Sequence, residues 1–249
     1  ANQRIVESGK VKEIYGQPAS NDAGSSIGAA LEFYAEKGGK NKFRLDNAYL
    51  GPEFTDNEIE KELRNFKIEY TKEKDICLKC ARLVSEGKII GWFQGKMEFG
   101  PRALGNRSVI SDPTKKDMWA KVNKVKEREL WRPFAPSILN EKKKEFFELN
   151  DSFDFMIVGS SVLSSKREVI PAVVHVDGTA RPHAVKEKVN PKFYKLIKNF
   201  EKITGVPVVM NTSFNGKGEP IVCTPRDAIK AFYSSGLDYL ALGDFLIKK

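Results

Sequence analysis

The sequence predicts an α/β fold of the α+β type, in which helices flank a twisted, mixed β-sheet. Short apolar, β-branched runs typical of buried strands are mixed with amphipathic helical segments, and the two do not alternate strictly. Hydrophobic residues make up 41% of the 249 residues, which is enough to bury one or two sizeable cores. Glycine and proline residues separate many of the segments, as turns require.

The first part of the chain is expected to contain two helices and a short strand. Residues 2–8 have the pattern of a helix end, with Gly9 placed to terminate it. Residues 13–15 predict a short strand. Residues 22–37 carry apolar side chains at helical spacing, and Gly38 ends that pattern.

An irregular stretch, residues 40–53, marks a domain junction because it contains the turn pair Gly51-Pro52. Thr55 follows with Glu58 three residues later, a capping box that predicts the start of a new helix. Further helices are predicted at residues 76–86, 117–125, 141–149, 191–205 and 225–235. Strands are predicted at residues 67–70, 89–93, 134–139, 155–158, 172–176, 206–210 and 239–247.

The formal net charge of +9 is compatible with nucleic acid, an anionic membrane or small anionic substrates. The lysines are scattered over predicted helices, as on a solvated surface. Several arginines instead lie in apolar stretches bounded by glycine and proline. A guanidinium group suits carboxylate and phosphate oxygens, so the charge favours a small anionic substrate.

Localisation is predicted from what the sequence lacks. No apolar run is long enough to span a bilayer, and the polar first ten residues have no signal-peptide core. We therefore expect no membrane association and a cytoplasmic protein. Because the chain begins with Ala1 in a helical segment, we also expect a fragment or a processed chain.

The three cysteines do not form a recognisable metal or redox motif. Cys77 and Cys80 form a C-x-x-C inside a predicted helix, and Cys223 is distant in sequence. A zinc site needs further ligands, and a redox motif needs a preceding strand. Buried helix thiols in a reducing cytoplasm are the expected outcome.

Residues 95–108 form the first stretch expected to carry chemistry. They follow a buried strand and contain three glycines, which allow the backbone to approach a ligand closely. The spacing fits neither a Walker loop nor a dinucleotide fingerprint. The stretch offers cationic and polar groups that suit phosphate or a polar head group: Lys96, Arg102, Asn106, Arg107 and Ser108.

The second stretch, residues 123–136, brings three more cationic side chains close together in sequence. Lys126 and Arg128 lie in a charged segment that a plain helix end would also explain. Arg132 lies between Trp131 and Pro133, where packing is expected to aim its guanidinium group. We expect this group of cations to contact the same anionic ligand as the first stretch.

Two further strands are predicted to end in polar turns, where α/β proteins collect ligands. One turn carries His175 and Arg181. His175 suits acid–base chemistry, but a structural role, in which Asp177 or a main-chain carbonyl satisfies it, is equally compatible. The other turn supplies uncharged groups that can bind phosphate, ribose or a carbamoyl amide: Asn211, Ser213 and Asn215.

Together these motifs resemble the C-terminal region of the NodU/CmcH-type O-carbamoyltransferases of nodulation-factor and antibiotic biosynthesis. The resemblance rests on KMEFGPRALGNRS at 96–108, RPFAP at 132–136, HVDGTAR at 175–181 and NTSFN at 211–215 followed by EPIV. These phrases occur in the family's order across nearly the whole chain.

The resemblance implies a YrdC-like domain at residues 55–249. Lys126-Glu-Arg128 and Ser213-Phe-Asn215 match the Lys-x-Arg and Ser-x-Asn signatures of that fold. Residues 46–54 would be a linker, and residues 1–45 would be the tail of an actin-like ATPase-superfamily transferase domain. Asp22 matches an iron ligand of that domain, but only in the complete two-domain enzyme, because the two partner histidines are absent here.

The resemblance also implies the reaction. The YrdC-like domain would bind ATP, with Mg²⁺, and carbamoyl phosphate, and would form carbamoyl-adenylate. The other domain would transfer the carbamoyl group to a hydroxyl-bearing acceptor. Lys126, Arg128 and Arg132 are the expected catalytic residues, and the remaining polar and cationic residues of the four stretches would bind substrate.

Two alternatives share this fold. A double-stranded-RNA-binding module agrees with the positive charge, but no RNA-binding motif occurs and the informative arginines do not form a stripe, so nucleic acid is the weaker prediction. A threonylcarbamoyl-adenylate synthase would use a similar ligand. Residues 98–105, with the sequence EFGPRALG, favour the carbamoyltransferase.

Overall fold

The computed structural model describes residues 1–11, 14–40, 44–149 and 153–249. The α-helices in these ranges are Asn2–Glu7 (α1), Ser25–Glu36 (α2), Asp56–Asn65 (α3), Ile76–Ser85 (α4), Met118–Val125 (α5), Ser164–Arg167 (α6), Pro191–Thr204 (α7) and Pro225–Tyr233 (α8). The strands are Thr71–Lys72 (β1), Ile90–Phe93 (β2), Arg107–Ser111 (β3), Ala135–Leu139 (β4), Ser160–Ser161 (β5), Thr179–Ala180 (β6), His183–Val185 (β7), Val208–Ser213 (β8), Tyr239–Leu242 (β9) and Phe245–Lys248 (β10).

Eight of these strands form one mixed sheet in the order β1-β10-β9-β2-β3-β8-β4-β7. The pairs β2/β9 and β4/β7 are parallel, and the other neighbouring pairs are antiparallel. Strands β5 and β6 form a separate antiparallel pair. The predicted α/β fold with a mixed sheet and flanking helices is confirmed.

Local sequence signals account for the ends of the longest helix, α7. The Asn190 side chain accepts the main-chain N–H of Phe193 at 3.1 Å, and Pro191 occupies the first turn. Gly205 ends the helix with φ of +77°, a conformation that suits glycine. The buried face, which includes Phe193 and Leu196, belongs to the main hydrophobic core beside the sheet.

Other local predictions are also confirmed. The side chains of Thr55 and Glu58 form the capping box at the start of α3. Helix α4 ends before Gly87, whose φ is +87°. Residues 22–37 are helical in two parts, a 3₁₀ turn at Asp22–Gly24 and then α2.

Three strand predictions are wrong. Residues 67–70 precede the strand instead of forming it, because Lys67 adopts a positive φ of 53° that turns the chain. Residues 155–158 form no ladder, and the run at 172–176 begins in the 3₁₀ turn Pro171–Val173. Short apolar runs satisfy several conformations, so their periodicity is a weak guide.

Three further elements differ from the prediction. Residues 141–149 begin in a 3₁₀ helix, Asn140–Glu145, instead of an α-helix. Residues 239–247 are two strands, because Gly243 turns the chain with φ of +61°. The expected strand at 13–15 lies partly outside the described residues, and Tyr15 is not in a strand.

The segment predicted to be a linker is attached to the loop at 95–106. Gly51 N–H donates to the main-chain oxygen of Met97 at 2.9 Å, and Phe99 N–H donates to that of Ala48 at 2.6 Å. Leu45 and Ala48 also join a small second hydrophobic cluster with Leu104. This segment therefore supports the loop that carries the first motif.

Among the described residues, none of the helices is both long and apolar enough to cross a lipid bilayer.

Candidate functional site

The sheet brings three of the four sequence motifs together. Strand β8 lies between β3 and β4, so Ser213 is in register with Ser108 and Asn211 is in register with Ala135. The first, second and fourth motifs therefore meet at the same end of these central strands. The third motif joins them through Arg181.

These elements surround a cleft of about 120 Å³, which we call the cationic cleft. Three half-buried guanidinium groups line it, those of Arg102, Arg128 and Arg181, together with Asn211 and Ser213. No carboxylate is present among the described residues that line it. Like charges gathered without a counter-charge indicate a site for an anion.

The surrounding protein holds Arg128 in place. Its Nε donates to Oδ1 of Asn123 at 2.6 Å, and one terminal nitrogen donates to the Pro133 oxygen at 3.3 Å. The guanidinium carbon lies 4.3 Å from the ring centre of Phe134. Burial and the nearby charge of Arg132 lower the pKa of Arg128 to about 10, so the group stays protonated at neutral pH.

Arg181 carries a buried donor, its Nε, that has no hydrogen-bond partner among the described residues. Burial and the charge of Arg102 lower its pKa to about 10. A buried, charged donor without an acceptor is unfavourable, and a phosphate oxygen would satisfy it.

Asn211 is also incompletely satisfied. Its Nδ2 donates to the Ala103 oxygen at 3.1 Å and to Oγ of Ser137 at 2.9 Å, which fixes the amide. Its Oδ1 is buried without a partner among the described residues. The residues that line the cleft therefore include one unsatisfied acceptor, Asn211 Oδ1, and one unsatisfied donor, Arg181 Nε, and a carbamoyl amide or a hydroxyl could bond to either type of group.

Lys126 is buried and is not among the residues that line the cleft. Its ammonium donates to the main-chain oxygens of Ser213 at 2.6 Å and Asn215 at 3.0 Å, and also contacts Oδ1 of Asn215. Burial and the nearby Arg128 lower its pKa to about 7. Lys126 and Asn215 thus fasten helix α5 to the end of β8.

Several residues of the first motif have structural contacts. The Arg107 side chain is fully buried and donates to the oxygens of Gln94 at 2.8 Å and Gly95 at 3.1 Å. Asn106 bonds to Lys96 O and to Asn190, and Ser108 Oγ accepts the Gly105 N–H. Lys96 itself is exposed outside the cleft.

The two remaining predicted cationic and acid–base residues lie at the margin. Arg132 is exposed and pairs with Glu129 at 3.4 Å. His175 is half-buried, and its Nδ1 lies 3.2 Å from Oγ1 of Thr179. Burial lowers the pKa of His175, and the charge of Arg181 adds to that effect.

Asp22 is far from a complete metal site in the described structure. It is exposed and begins a 3₁₀ turn that Asn21 caps. No group of three histidine, cysteine, aspartate or glutamate side chains that could hold a metal occurs in the described ranges. The cysteines agree with the sequence prediction, since Cys77 and Cys80 are buried and unpaired.

Sequence reasoning missed the residues that support the loops. Glu98 is buried and accepts the main-chain N–H groups of Leu104 and Asn106 at 2.8 and 2.7 Å. Asn123 orients Arg128. Glu98 lies in the first stretch and Asn123 in the second. A polar residue within an apolar or glycine-rich segment was the sequence feature that could have indicated such a supporting role.

The domain is a mixed β-sheet with flanking helices, and a cationic, amide-lined cleft lies at the ends of its central strands. Residues 81–249 match the family described as "Carbamoyltransferase C-terminus". The chain belongs to this carbamoyltransferase C-terminal family, and the resemblance predicted from the motifs is confirmed.

Two curated relatives are nodulation proteins. NolNO of Sinorhizobium fredii is 44% identical over 256 residues, covering 100% of this chain and 38% of NolNO. NolO of Bradyrhizobium diazoefficiens is 41% identical, covering 100% of this chain and 47% of NolO. The chain therefore spans less than half the length of these relatives.

A solved structure of full-length HypF, in the phosphate- and nucleotide-bound form, shares the fold. The TM-score is 0.52 at 17% sequence identity, with 70% of this chain and 22% of the HypF chain covered. Together with the observed mixed sheet, this likeness confirms the predicted YrdC-like fold class.

Proposed function

We propose that this chain is the activating part of a carbamoyltransferase, which binds ATP and carbamoyl phosphate and forms carbamoyl-adenylate for transfer to a hydroxyl acceptor. The observation that carries the proposal is the buried, unpartnered Nε of Arg181, beside two more guanidinium groups in a cleft whose described lining has no carboxylate. Several phosphate oxygens in one ligand would satisfy these donors.

The reaction suits such a cleft because its two substrates are both anions. Carbamoyl phosphate first loses inorganic phosphate with uptake of one water. The carbamate oxygen that this exposes attacks the α-phosphorus of ATP, the bond to the β-phosphate breaks, and pyrophosphate leaves. Arg102, Arg128 and Arg181 would offset the repulsion between the anions and hold them in line.

The lining of the cleft also bears on which groups would hold a metal ion. Since its lining offers no carboxylate, Mg²⁺ would be held by the triphosphate oxygens and would reduce their charge. Iron belongs only to the complete two-domain enzyme, where Asp22 would need ligands from outside this chain. No step of the proposed adenylation depends on it.

The HypF structure was solved with phosphate and nucleotide bound, which is compatible with this proposal. Double-stranded RNA is a weaker candidate, because the arginines that carry the proposal face into a cleft and not along an exposed stripe. The hydroxyl acceptor and a cytoplasmic location are further parts of the proposal.

The test is the ATP–pyrophosphate exchange reaction in the presence of carbamoyl phosphate. Arg128→Ala should reduce exchange to background, because it removes a fixed cation from the cleft. Arg226→Ala is the matched control, since Arg226 is an exposed arginine paired with Glu62 on another face. Exchange in Arg128→Ala close to that of the control would contradict the role given to Arg128.

The same assay separates the alternatives. Exchange that requires threonine and bicarbonate instead of carbamoyl phosphate would support a threonylcarbamoyl-adenylate synthase. Failure of the wild-type chain to exchange under either condition, with tight and steeply salt-dependent binding of long RNA, would support the RNA-binding module.

A further inference from the structure

Three buried polar side chains, which we call the polar row, are hydrogen-bonded across the neighbouring strands β8, β4 and β7. Nδ2 of Asn211 on β8 donates to Oγ of Ser137 on β4 at 2.9 Å. That hydroxyl lies 3.2 Å from Nδ1 of His183, the register partner of Ser137 on β7. None of the three residues is more than 3% exposed, and the row meets the cationic cleft at Asn211.

The direction of the hydrogen bonds in the polar row follows from the donors that are present. A serine hydroxyl that accepts the Asn211 N–H still has its own hydrogen to donate, and Nδ1 of a neutral imidazole accepts it. Burial lowers the pKa of His183 to about 4, so the ring is neutral at pH 7. Each group therefore donates to the next, from Asn211 through Ser137 to His183.

Packing also confines His183, at the far end of the row. Its ring lies nearly parallel to that of Phe193, at 18° and with the ring centres 6.3 Å apart. Phe193 is fully buried on α7 and lies against Gly105 of the first motif, where a Cβ atom would come within 2.1 Å of the phenyl ring. The row thus ends on a fixed group in the core.

The polar row leaves one group of the Asn211 amide unused. One N–H donates to the Ala103 oxygen at 3.1 Å and the other to Ser137, whereas Oδ1 has no partner in the described part of the chain. Because both donors are occupied, a ligand at this wall of the cleft can donate a hydrogen bond to Asn211 but cannot accept one from it.

We propose that Ser137 and His183 are positioning residues that hold the Asn211 amide with its oxygen free, so that the cleft selects a ligand with an N–H donor beside its phosphate group. The inference rests on the proposed function, in which that donor is the amino group of carbamoyl phosphate. Neither Ser137 nor His183 lines the cleft, so each acts through Asn211.

The expected selectivity comes from the cost of leaving a buried acceptor unpaired. An acyl phosphate with a methyl group in place of the amino group offers Oδ1 no donor, which is unfavourable in a buried site. Burying the row itself costs desolvation free energy that an apolar row of the same shape would avoid. Fixing the Asn211 amide is a function that such an apolar row would not provide.

The experiment compares two stable phosphonates that differ in one group. Phosphonoacetamide carries an amino group where (2-oxopropyl)phosphonate carries a methyl group, and isothermal titration calorimetry measures the affinity of each. The wild-type chain should bind the amide about tenfold more tightly. Ser137→Ala should reduce that preference to about twofold, because one Asn211 N–H loses its acceptor, and should leave (2-oxopropyl)phosphonate binding unchanged.

Variants of His183 give a second route to the same result, should Ser137→Ala fold poorly. His183→Leu removes the acceptor of the Ser137 hydroxyl and should also lower the preference. His183→Gln should keep most of it, because the side-chain oxygen of glutamine accepts that hydroxyl. Ser160→Ala is the matched control, since Ser160 is a buried serine on β5 outside the cleft, and it should keep the wild-type preference.

A double-mutant cycle distinguishes positioning from a general structural role. Asn211→Ala removes the acceptor and should abolish the preference, and adding Ser137→Ala should then change it no further. Additive effects of the two substitutions on the preference would overturn the inference. Equal weakening of both phosphonates by Ser137→Ala would also overturn it, because the residue would then support the fold or the phosphate site.

The wild-type result separates this inference from the proposed function. Equal affinity for the two phosphonates, with binding that Arg128→Ala weakens, would overturn the selection of an N–H donor while the phosphate site stands. Failure of the wild-type chain to bind either phosphonate would overturn the phosphate site of the proposed function and this inference with it.

Discussion

The side-chain nitrogen of Lys126 lies 2.6 Å from the main-chain oxygen of Ser213, so the end of helix α5 is fastened to the end of strand β8. Glu127 follows with a positive φ of 47° and turns the chain. Arg128 then lines the cationic cleft. The two residues of the Lys-x-Arg signature therefore differ in position, since the lysine anchors the segment and the arginine lines the cleft that we propose binds the ligand.

The anchor should make stability depend on pH. Burial and Arg128 lower the pKa of Lys126 from 10.5 to about 7 in the folded protein. Between those two pH values the unfolded chain binds more protons, so the free energy of unfolding should rise as pH rises. Lys126→Met should flatten this slope in urea unfolding curves measured from pH 7 to 10.

A control at an exposed lysine makes that comparison specific. Lys230→Met removes a side chain that is 72% exposed and should keep the wild-type slope. A slope in Lys126→Met equal to that of Lys230→Met would show that Lys126 does not titrate as the structure indicates.

We expect Arg107 to stabilise the fold. Its guanidinium group is fully buried, donates to main-chain oxygens and lies 3.6 Å from the ring centre of Phe93. Arg107→Ala leaves those buried oxygens unpaired and should lower the free energy of unfolding by about 3 kcal/mol. Arg132→Ala, at an exposed position, should change it by less than about 0.5 kcal/mol. Similar unfolding midpoints for the two variants in urea would contradict this assignment.

The contact between residues 45–52 and the loop that carries the first motif can also be measured. The Tyr49 hydroxyl donates to the Leu104 oxygen at 2.8 Å and accepts from the Asn190 amide at 3.0 Å. Tyr49→Phe removes both bonds and should cost about 2 kcal/mol of unfolding free energy. Tyr233→Phe, at an exposed tyrosine, should cost almost nothing. Equal stability of the two variants would mean that the segment contributes little to the loop.

Much of the fold could be predicted because its signals are local. The capping box at Thr55 and the terminating Gly205 are read directly from neighbouring residues. Strand β3 was missed because it begins with Arg107 and Ser108, which are polar and yet buried. Pairing with neighbouring strands determines that burial, and a single sequence does not display the pairing.

In the candidate site, too, some features could be predicted from the sequence and others depend on the folded structure. Motifs that follow buried strands were expected to converge, and the register of β8 with β3 and β4 brings them together. The sequence could not separate Arg102, which lines the cleft, from Arg107, which lies in the core. Both are arginines of the same glycine-rich stretch. Arg102 lies in the loop between β2 and β3, whereas Arg107 begins β3.

His175 provides a last test, because its pKa reports the charges around the cationic cleft. Burial lowers that pKa, Asp177 raises it and Arg181 lowers it. Arg181→Ala should therefore raise the pKa of His175, since a nearby positive charge disfavours the imidazolium form. Asp177→Asn should lower it, because it removes a negative charge.

Nuclear magnetic resonance titration of the imidazole Cε1 protons measures these shifts. The chain has two histidines, and the signal that a His183→Gln variant retains identifies His175. Added tripolyphosphate should raise the pKa of His175 in the wild-type chain, because an anion beside Arg181 offsets its charge. Arg181→Ala should lose most of that response. A pKa that is the same in wild type and in both variants would place His175 outside the field of the cationic cleft.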